Sequence, residues 1–135
     1  MLEIKEGDLV LARHISEGDF KRGLNFFSQD SEFIQVGFWD YDKGKKLLAH
    51  AHNEVPREVG LTQEVLFVKR GKIRARIYDS KQILVREFEV LAGDILIAFR
   101  GAHGYDILED GTQVLEVKNG PYLGAEVDRV RIENE

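Results

Sequence analysis

Two histidines separated by a single residue are the first candidates for chemistry in this chain. His50 and His52 end the run Lys46 to His52, whose composition and setting are typical of a strand. Side chains two apart in a strand project from the same face, so the two imidazoles are predicted to lie roughly 7 Å apart along the chain. They could bind one divalent metal ion, since a first-row metal takes neighbouring nitrogen ligands at about 2 Å. They could also be partly solvated strand histidines, and the pair alone does not decide between these interpretations.

The surrounding chain is predicted to fold into short β-strands. The clearest is Lys72 to Tyr78, where Ile73, Ala75 and Ile77 alternate with basic residues. Similar runs cover residues 33–39, 46–52, 64–69, 83–90, 95–99, 104–108 and 114–118, and turns rich in Gly and Asp separate most of them. No window of eleven or more residues has a helical apolar period. The sequence therefore predicts one all-β domain over residues 1–135, an antiparallel sandwich or small barrel.

Composition narrows the classes of function. The chain has 135 residues, of which 43% are hydrophobic and 32% charged, which is typical of one folded domain. There is no apolar stretch of about 20 residues and no signal-peptide core at the N-terminus, so a cytoplasmic protein without a membrane partner is expected. The absence of cysteine excludes disulfides, thiolate metal sites and thiol nucleophiles. With 19 basic and 24 acidic residues the net charge is −5, which argues against a nucleic-acid partner.

Two stretches of the chain resemble the sequence motifs of the cupin superfamily. The first motif of that family is matched by Gly44, His50, His52, Glu64 and Gly71. The second is matched by Gly93, Phe99, Gly101 and His103. The resemblance implies a cupin-type antiparallel β-barrel, also called a double-stranded β-helix or jelly roll. It also implies that His50, His52, Glu64 and His103 bind a divalent transition metal, for which Fe, Mn, Ni or Zn would suit the mixed nitrogen and oxygen donors.

More particularly, the chain is similar to a group of small cupin-domain proteins. The shared segments are Gln63-Glu64-Val65-Leu66, Gly101-Ala102-His103-Gly104 and Glu116-Val117-Lys118-Asn119-Gly120-Pro121-Tyr122. Relatives are often associated with surface-polysaccharide or nucleotide-sugar pathways, which implies a sugar-type substrate. On this resemblance Lys118 and Tyr122 are candidate substrate contacts, although they could simply flank a turn after the last strand. Arg57, in the loop 53–62, could clamp an anion at the mouth of the site or remain a solvated loop residue.

Strand alternation predicts which side chains accompany these residues. Leu66 and Val68 should flank Glu64 inside the barrel, whereas Val65 and Phe67 point outward and need a second layer or a dimer interface. His103 follows Gly101 one residue earlier than in the family pattern. It would face away from the metal if that shift were a slip along a strand, and could still reach the metal from a bulge or turn.

A second spacing also departs from the family pattern. Eleven residues separate His52 from Glu64, where the family has three or four. A longer loop between two strands costs little entropy, so Glu64 can keep its place. On the face of His103, alternation predicts Tyr105 and Ile107 as neighbours.

These observations predict a metal-binding cupin, active as a homodimer on a small polar molecule such as a sugar derivative. Isomerase, epimerase and dioxygenase chemistry are all compatible with such a site. Two alternatives remain open at this point. One is a non-catalytic cupin that binds a small ligand as a sensor, and the other is a metal-free isomerase in which histidines act as acid and base.

Overall fold

The computed structural model describes residues 1–132, and its regular structure is almost entirely β. The last three residues of the predicted domain lie outside the described residues. The ten strands are β1 (Leu2–Glu6), β2 (Leu9–Ile15), β3 (Gly23–Phe26), β4 (Gly37–Asp40), β5 (Glu64–Arg70), β6 (Lys72–Tyr78), β7 (Leu84–Leu91), β8 (Ile95–Ala98), β9 (Ala102–Ile107) and β10 (Gln113–Lys118). A 3-10 turn at Glu17–Asp19 and a short helix α1 (Ala125–Asp128) complete the regular elements of this part of the chain.

The strands form three antiparallel sheets, which confirms the all-β prediction. The largest sheet has the strand order β1-β2-β8-β5-β10, the second β7-β6-β9, and β3 pairs with β4. Over residues 1–132 these sheets do not close into a barrel, because each of them ends in strands that pair with a single neighbour. The fold is therefore an open arrangement of packed sheets, and β9 and β10 are among its edge strands.

The main core lies between the five-stranded and three-stranded sheets. Leu66 and Val68 of β5 face this core, as the alternation predicts, and Ile73, Ala75 and Ile77 of β6 belong to the same buried cluster. All five side chains are nearly inaccessible to solvent. Because residues two apart share a face, the same alternation turns the first residue of β5, Glu64, toward the interior.

A second apolar layer covers part of the outer face of the five-stranded sheet. Phe27 is buried against this face together with Ile97 of β8, and Val65 packs against their cluster. The second layer predicted from Val65 is thus present, formed by the chain around residues 20–38. Phe67, two residues further along β5, remains 38% exposed.

One buried arginine ties this second layer to the sheet. Arg13 of β2 is 2% exposed, and its guanidinium donates to the backbone oxygen of Phe27 at 3.0 Å. It also pairs with Glu3 at 2.9 Å and with Glu32 at 2.7 Å, and it lies 4.7 Å from the centre of the Phe99 ring. Hydrogen bonds to charged partners stabilise such a group only while all partners remain in place.

The predicted strand over residues 46–52 is absent from the described structure, which is a correction to the sequence analysis. Residues 41–62 contain no strand and every one of them is exposed. The predicted strand over 33–39 is also shorter, since only β4 forms there. A strand needs a neighbour to accept its backbone hydrogen bonds, and residues 46–52 have none within the described chain.

Candidate active site

Glu64 is a buried carboxylate at the start of β5. Its side chain is 9% exposed, and it lies at the base of a cleft of about 930 Å³. Strand alternation places it inside, and pairing with Lys118 of β10 and Ala98 of β8 fixes its backbone. A buried carboxylate is costly without hydrogen-bond partners, so its neighbours decide what it can do.

Two side chains of β9 supply those partners. The Tyr105 hydroxyl donates to Glu64 Oε1 at 3.0 Å, and His103 Nε2 lies 3.0 Å from the same oxygen. The His103 and Tyr105 rings are stacked with centres 5.2 Å apart. In the register of β9 on β6, His103 lies opposite Ile77, a core residue, so His103 faces inward despite its early position after Gly101.

The other carboxylate oxygen of Glu64 is open to the cleft. Neither Tyr105 nor His103 bonds Oε2, since both use Oε1. Glu64 lines the cleft, and 9% of its side-chain surface remains exposed there. Glu64 can therefore accept a further hydrogen bond from the cleft side.

The turn before β9 has a geometry that only glycine satisfies. Gly101 has a φ of +71°, in the left-handed region that side chains with a Cβ rarely adopt. A Cβ at this position would lie 2.2 Å from the backbone oxygen of Tyr78. The missing side chain lets β9 start close to the end of β6, which sets the position of His103 two residues later.

Electrostatics fix the protonation states of Glu64 and Tyr105. Burial opposes ionisation of Glu64, but the hydrogen bond and charge of His103, helped by Tyr105 and Lys118, outweigh it and hold the pKa of the carboxyl below its usual value. For Tyr105, burial, followed by the charge of Glu64 and the hydrogen bond to it, raises the pKa of the phenol. At neutral pH the site thus contains a carboxylate acceptor and a neutral phenol donor.

Lys118 and Tyr122 both line the cleft, whereas Arg57 does not belong to its lining. Lys118 Nζ lies 2.8 Å from Glu116 Oε1, and this contact is the main cause that raises the pKa of the lysine. Tyr122 is 64% exposed. Arg57 is exposed on the segment between β4 and β5 and donates to the backbone oxygen of Val55 at 3.4 Å.

His50 and His52 lie near each other but on the exposed segment. Their ring centres are 5.0 Å apart, and His50 Nδ1 is 3.3 Å from the backbone oxygen of Leu48. Neither histidine lines the cleft that contains Glu64. The fourth histidine, His14, is engaged elsewhere, with Nε2 2.7 Å from Asp94 Oδ2.

Glu64 Oε1 and His103 Nε2 are spaced as two neighbouring ligands of one metal ion would be. Two ligands that bind one ion at about 2.1 Å and at right angles are roughly 3 Å apart, close to the separation of Glu64 Oε1 and His103 Nε2. In residues 1–132, however, no group of three or more His, Asp or Glu side chains is arranged to hold an ion. The set of His50, His52, Glu64 and His103 is thus divided between cleft and exposed segment, and metal binding stays a prediction.

Tyr105 belongs to the site, although the sequence predicted it only as a neighbour on the face of His103. Its hydroxyl contacts the same carboxylate oxygen as His103, which places it at the centre of the site. The signal was its spacing, since a residue two positions after a candidate ligand in a strand shares the ligand's face.

We expect the free energy of unfolding of the Glu64→Gln variant to depend less on pH in acid than that of the wild type. Because the pKa of Glu64 is lowered by folding, its ionised form stabilises the protein fully above the reference value of 4.5, and this contribution is lost as the pH falls through the lower folded-state pKa. Urea unfolding at a series of pH values should show a steeper fall below pH 4.5 for the wild type than for Glu64→Gln. Glu116→Gln, which removes a carboxylate about half exposed on the same cleft, is the control. Equal pH dependence in both variants would contradict the assignment.

Comparison with protein-family models, with curated proteins and with solved structures finds no match to this chain. The resemblance to cupins therefore stays a prediction. Within the described residues, no helix is both long and apolar enough to cross a membrane.

Proposed function

We propose that the cleft at Glu64 is the active site of a cupin-type, metal-dependent enzyme that acts on a small polar molecule such as a sugar derivative. The observation that carries this proposal is the convergence of His103 and Tyr105 on one buried carboxylate at the base of a cleft. A volume of about 930 Å³ is ample for a small ligand. The cleft lining is rich in charged and hydroxyl groups, which favours a polar substrate.

Four residues would hold the ion: Glu64 and His103 in the cleft, with His50 and His52 brought from the exposed segment. When bound, a divalent metal would act as a Lewis acid on a substrate oxygen. One carboxylate against a doubly charged ion leaves a net positive site, which favours an oxygen-rich or anionic ligand.

The remaining residues bind and position the substrate. Tyr105 is a neutral donor, because burial and, after it, the charge of Glu64 raise the pKa of the phenol. Lys118 places a positive charge at the cleft wall, where it can pair with a phosphate or carboxylate of the ligand. Tyr122 is exposed at the same cleft and offers a further hydroxyl.

A specific contact also favours a metal-free acid–base reaction as the second candidate. The 3.0 Å separation between Glu64 Oε1 and His103 Nε2 is that of a carboxylate orienting an imidazole. In such a site His103 would take the proton from a hydroxyl-bearing carbon next to a carbonyl and return it to the carbonyl carbon. The proton of that hydroxyl would move to the carbonyl oxygen, which completes an isomerisation.

Metal binding is tested with Co²⁺, whose visible absorption reports coordination by protein ligands. We expect the wild type to bind about one equivalent, and Glu64→Gln, His103→Gln and His50→Gln each to weaken binding at least about tenfold. His14→Gln is the matched control, because a glutamine amide can replace the hydrogen bond of this histidine to Asp94.

Two results would overturn the metal-dependent proposal. One is uptake of less than about 0.1 equivalent of Co²⁺ by the wild type. The other is binding that survives Glu64→Gln and His103→Gln, which would mean that only the exposed His50 and His52 pair holds the ion. Metal-free protein that still exchanges the proton next to the carbonyl of aldoses or ketoses with deuterium, measured by NMR, would favour the second candidate.

A further inference from the structure

The segment between β4 and β5 contains no strand or helix, is exposed throughout and carries several apolar side chains. We call residues 43–60 the arm. Leu48 is 77% exposed and Val55 is 53% exposed, although aliphatic side chains of this size are normally covered. Over the described residues, the hydrogen bonds of the arm stay within residues 42–57. The arm thus presents apolar surface and unpaired backbone without using the body of its own chain.

The free edge of β9, beside the site, offers unpaired backbone groups with which the arm could form hydrogen bonds. In the described residues β9 pairs only with β6, so its other edge presents free backbone donors and acceptors. Ile107 of β9 lies opposite the core residue Ile73, yet it is 64% exposed. An additional strand on this edge would cover Ile107 and satisfy the backbone, which is how extended segments add to a sheet.

A single antiparallel register joins the two features. Placing Leu48 opposite Ile107 covers the most exposed leucine of the arm with the exposed isoleucine of β9. Because opposite residues share a face, the two arm histidines then fall on the face of the site, with His50 opposite Tyr105 and His52 opposite His103.

Charge complementarity supports the same register. This register brings the basic start of the arm, Lys45 and Lys46, to the acidic turn after β9, which contains Glu109 and Asp110. Opposite charges placed across two strands stabilise their pairing, whereas like charges weaken it. A parallel arrangement with Leu48 at Ile107 would carry the lysines away from that turn, toward His103.

We infer that the arm pairs with the β9 edge of a second copy of this chain, so that two copies exchange arms. All 18 residues of the arm are exposed, and the accepting strand β9 adds six residues from each copy. A stable interface of standard size uses about 20–30 residues a side, so reciprocal exchange of the arms is large enough to hold a dimer. The exchange is also symmetric, since each copy both gives an arm and accepts one.

The exchange gives the dimer a role in the site. Each cleft would combine Glu64, His103 and Tyr105 of one copy with His50 and His52 of the other. This consequence rests on the proposed metal-dependent function, whereas the pairing of the arm with β9 does not depend on it.

Cross-linking tests the exchange without metal or substrate. The chain has no cysteine, so an Ala49→Cys, Asp106→Cys double variant contains only the two introduced thiols. In the register above these positions are directly opposite, at the Cα separation of about 4.5–5.5 Å that a disulfide can bridge. Under mild oxidation we expect a covalent dimer on a non-reducing gel, which reduction converts to monomer.

The control is the Ala49→Cys, Glu87→Cys double variant, which should stay monomeric on the same gel. Glu87 is on β7, the opposite edge strand of the same sheet, and it pairs with Arg74 of β6 much as Asp106 pairs with Arg76. The Ala49→Cys single variant checks for links between two arms. Circular dichroism verifies that all variants are folded.

Each other outcome overturns the proposal. A disulfide within one chain would show that the arm folds back onto its own β9, and no disulfide would show that the arm does not use this edge. As a second measurement, Leu48→Asp should raise the dimer dissociation constant of the full chain at least about tenfold in sedimentation, and an unchanged constant would exclude the exchange. If cross-linking succeeds while Co²⁺ binding fails, the proposed function is wrong and the exchange stands.

Discussion

The Arg13→Met variant is expected to lower the free energy of unfolding by about 3–5 kcal/mol, the cost of breaking a buried ion pair from one side. Methionine fills much of the space of the arginine stem but cannot donate hydrogen bonds. Glu32 would keep a largely buried charge without its cation, and the backbone oxygen of Phe27 would lose its donor. Urea unfolding followed by circular dichroism measures the loss.

The matched control is Arg22→Met, which makes the same chemical change on the surface. Arg22 pairs with Asp42 at 2.6 Å, but the two side chains are 65% and 81% exposed. Such a pair contributes little to stability, because water and salt replace it readily. Equal losses for the two variants would mean that Arg13 does not fasten the second layer to the sheet.

The Gly101→Ala variant is expected to lose at least about 2 kcal/mol of stability and most of its Co²⁺ binding. Alanine in a left-handed conformation costs about 1–2 kcal/mol, and here the added methyl also meets the backbone oxygen of Tyr78. The clash can be relieved only if the start of β9 moves, and this movement carries His103 away from Glu64. Urea unfolding and cobalt titration are measured on the same preparation.

Gly93→Ala separates the two causes. Gly93 has a φ of +91°, so alanine is strained there as well, but a Cβ at this position meets nothing within 4 Å. We expect a loss of about 1–2 kcal/mol with cobalt affinity unchanged. If Gly101→Ala binds cobalt as tightly as Gly93→Ala, the turn does not set the position of His103.

The strand that the sequence predicted most clearly has one buried and one solvated face. In β6, Ile73, Ala75 and Ile77 alternate with charged residues, and the structure has a strand over the predicted residues. In β2 the pattern is hidden, because Leu11, Ala12 and Arg13 are all buried. The second apolar layer covers the outer face of the sheet there, so burial does not alternate and the strand was not predicted.

The residues of the site were predictable in part. Alternation placed Glu64 among the inward residues of β5 and grouped Tyr105 with His103. The contact of both with one oxygen could not be predicted, because it depends on how two sheets pack. The strand over residues 46–52 was predicted from local composition, but strand formation also requires a partner edge, which local composition does not specify.

The two oxygens of the Glu64 carboxylate differ in their contacts, and this difference affects the free energy of ligand binding. His103 and Tyr105 contact Oε1, and Oε2 of this cleft-lining carboxylate takes part in neither contact. A ligand hydroxyl can therefore donate a hydrogen bond to Oε2 while both existing contacts to Oε1 remain. Binding then does not include the free-energy cost of displacing His103 or Tyr105 from the carboxylate. The imidazole of His103 and the phenol of Tyr105 then need not rearrange when such a ligand binds.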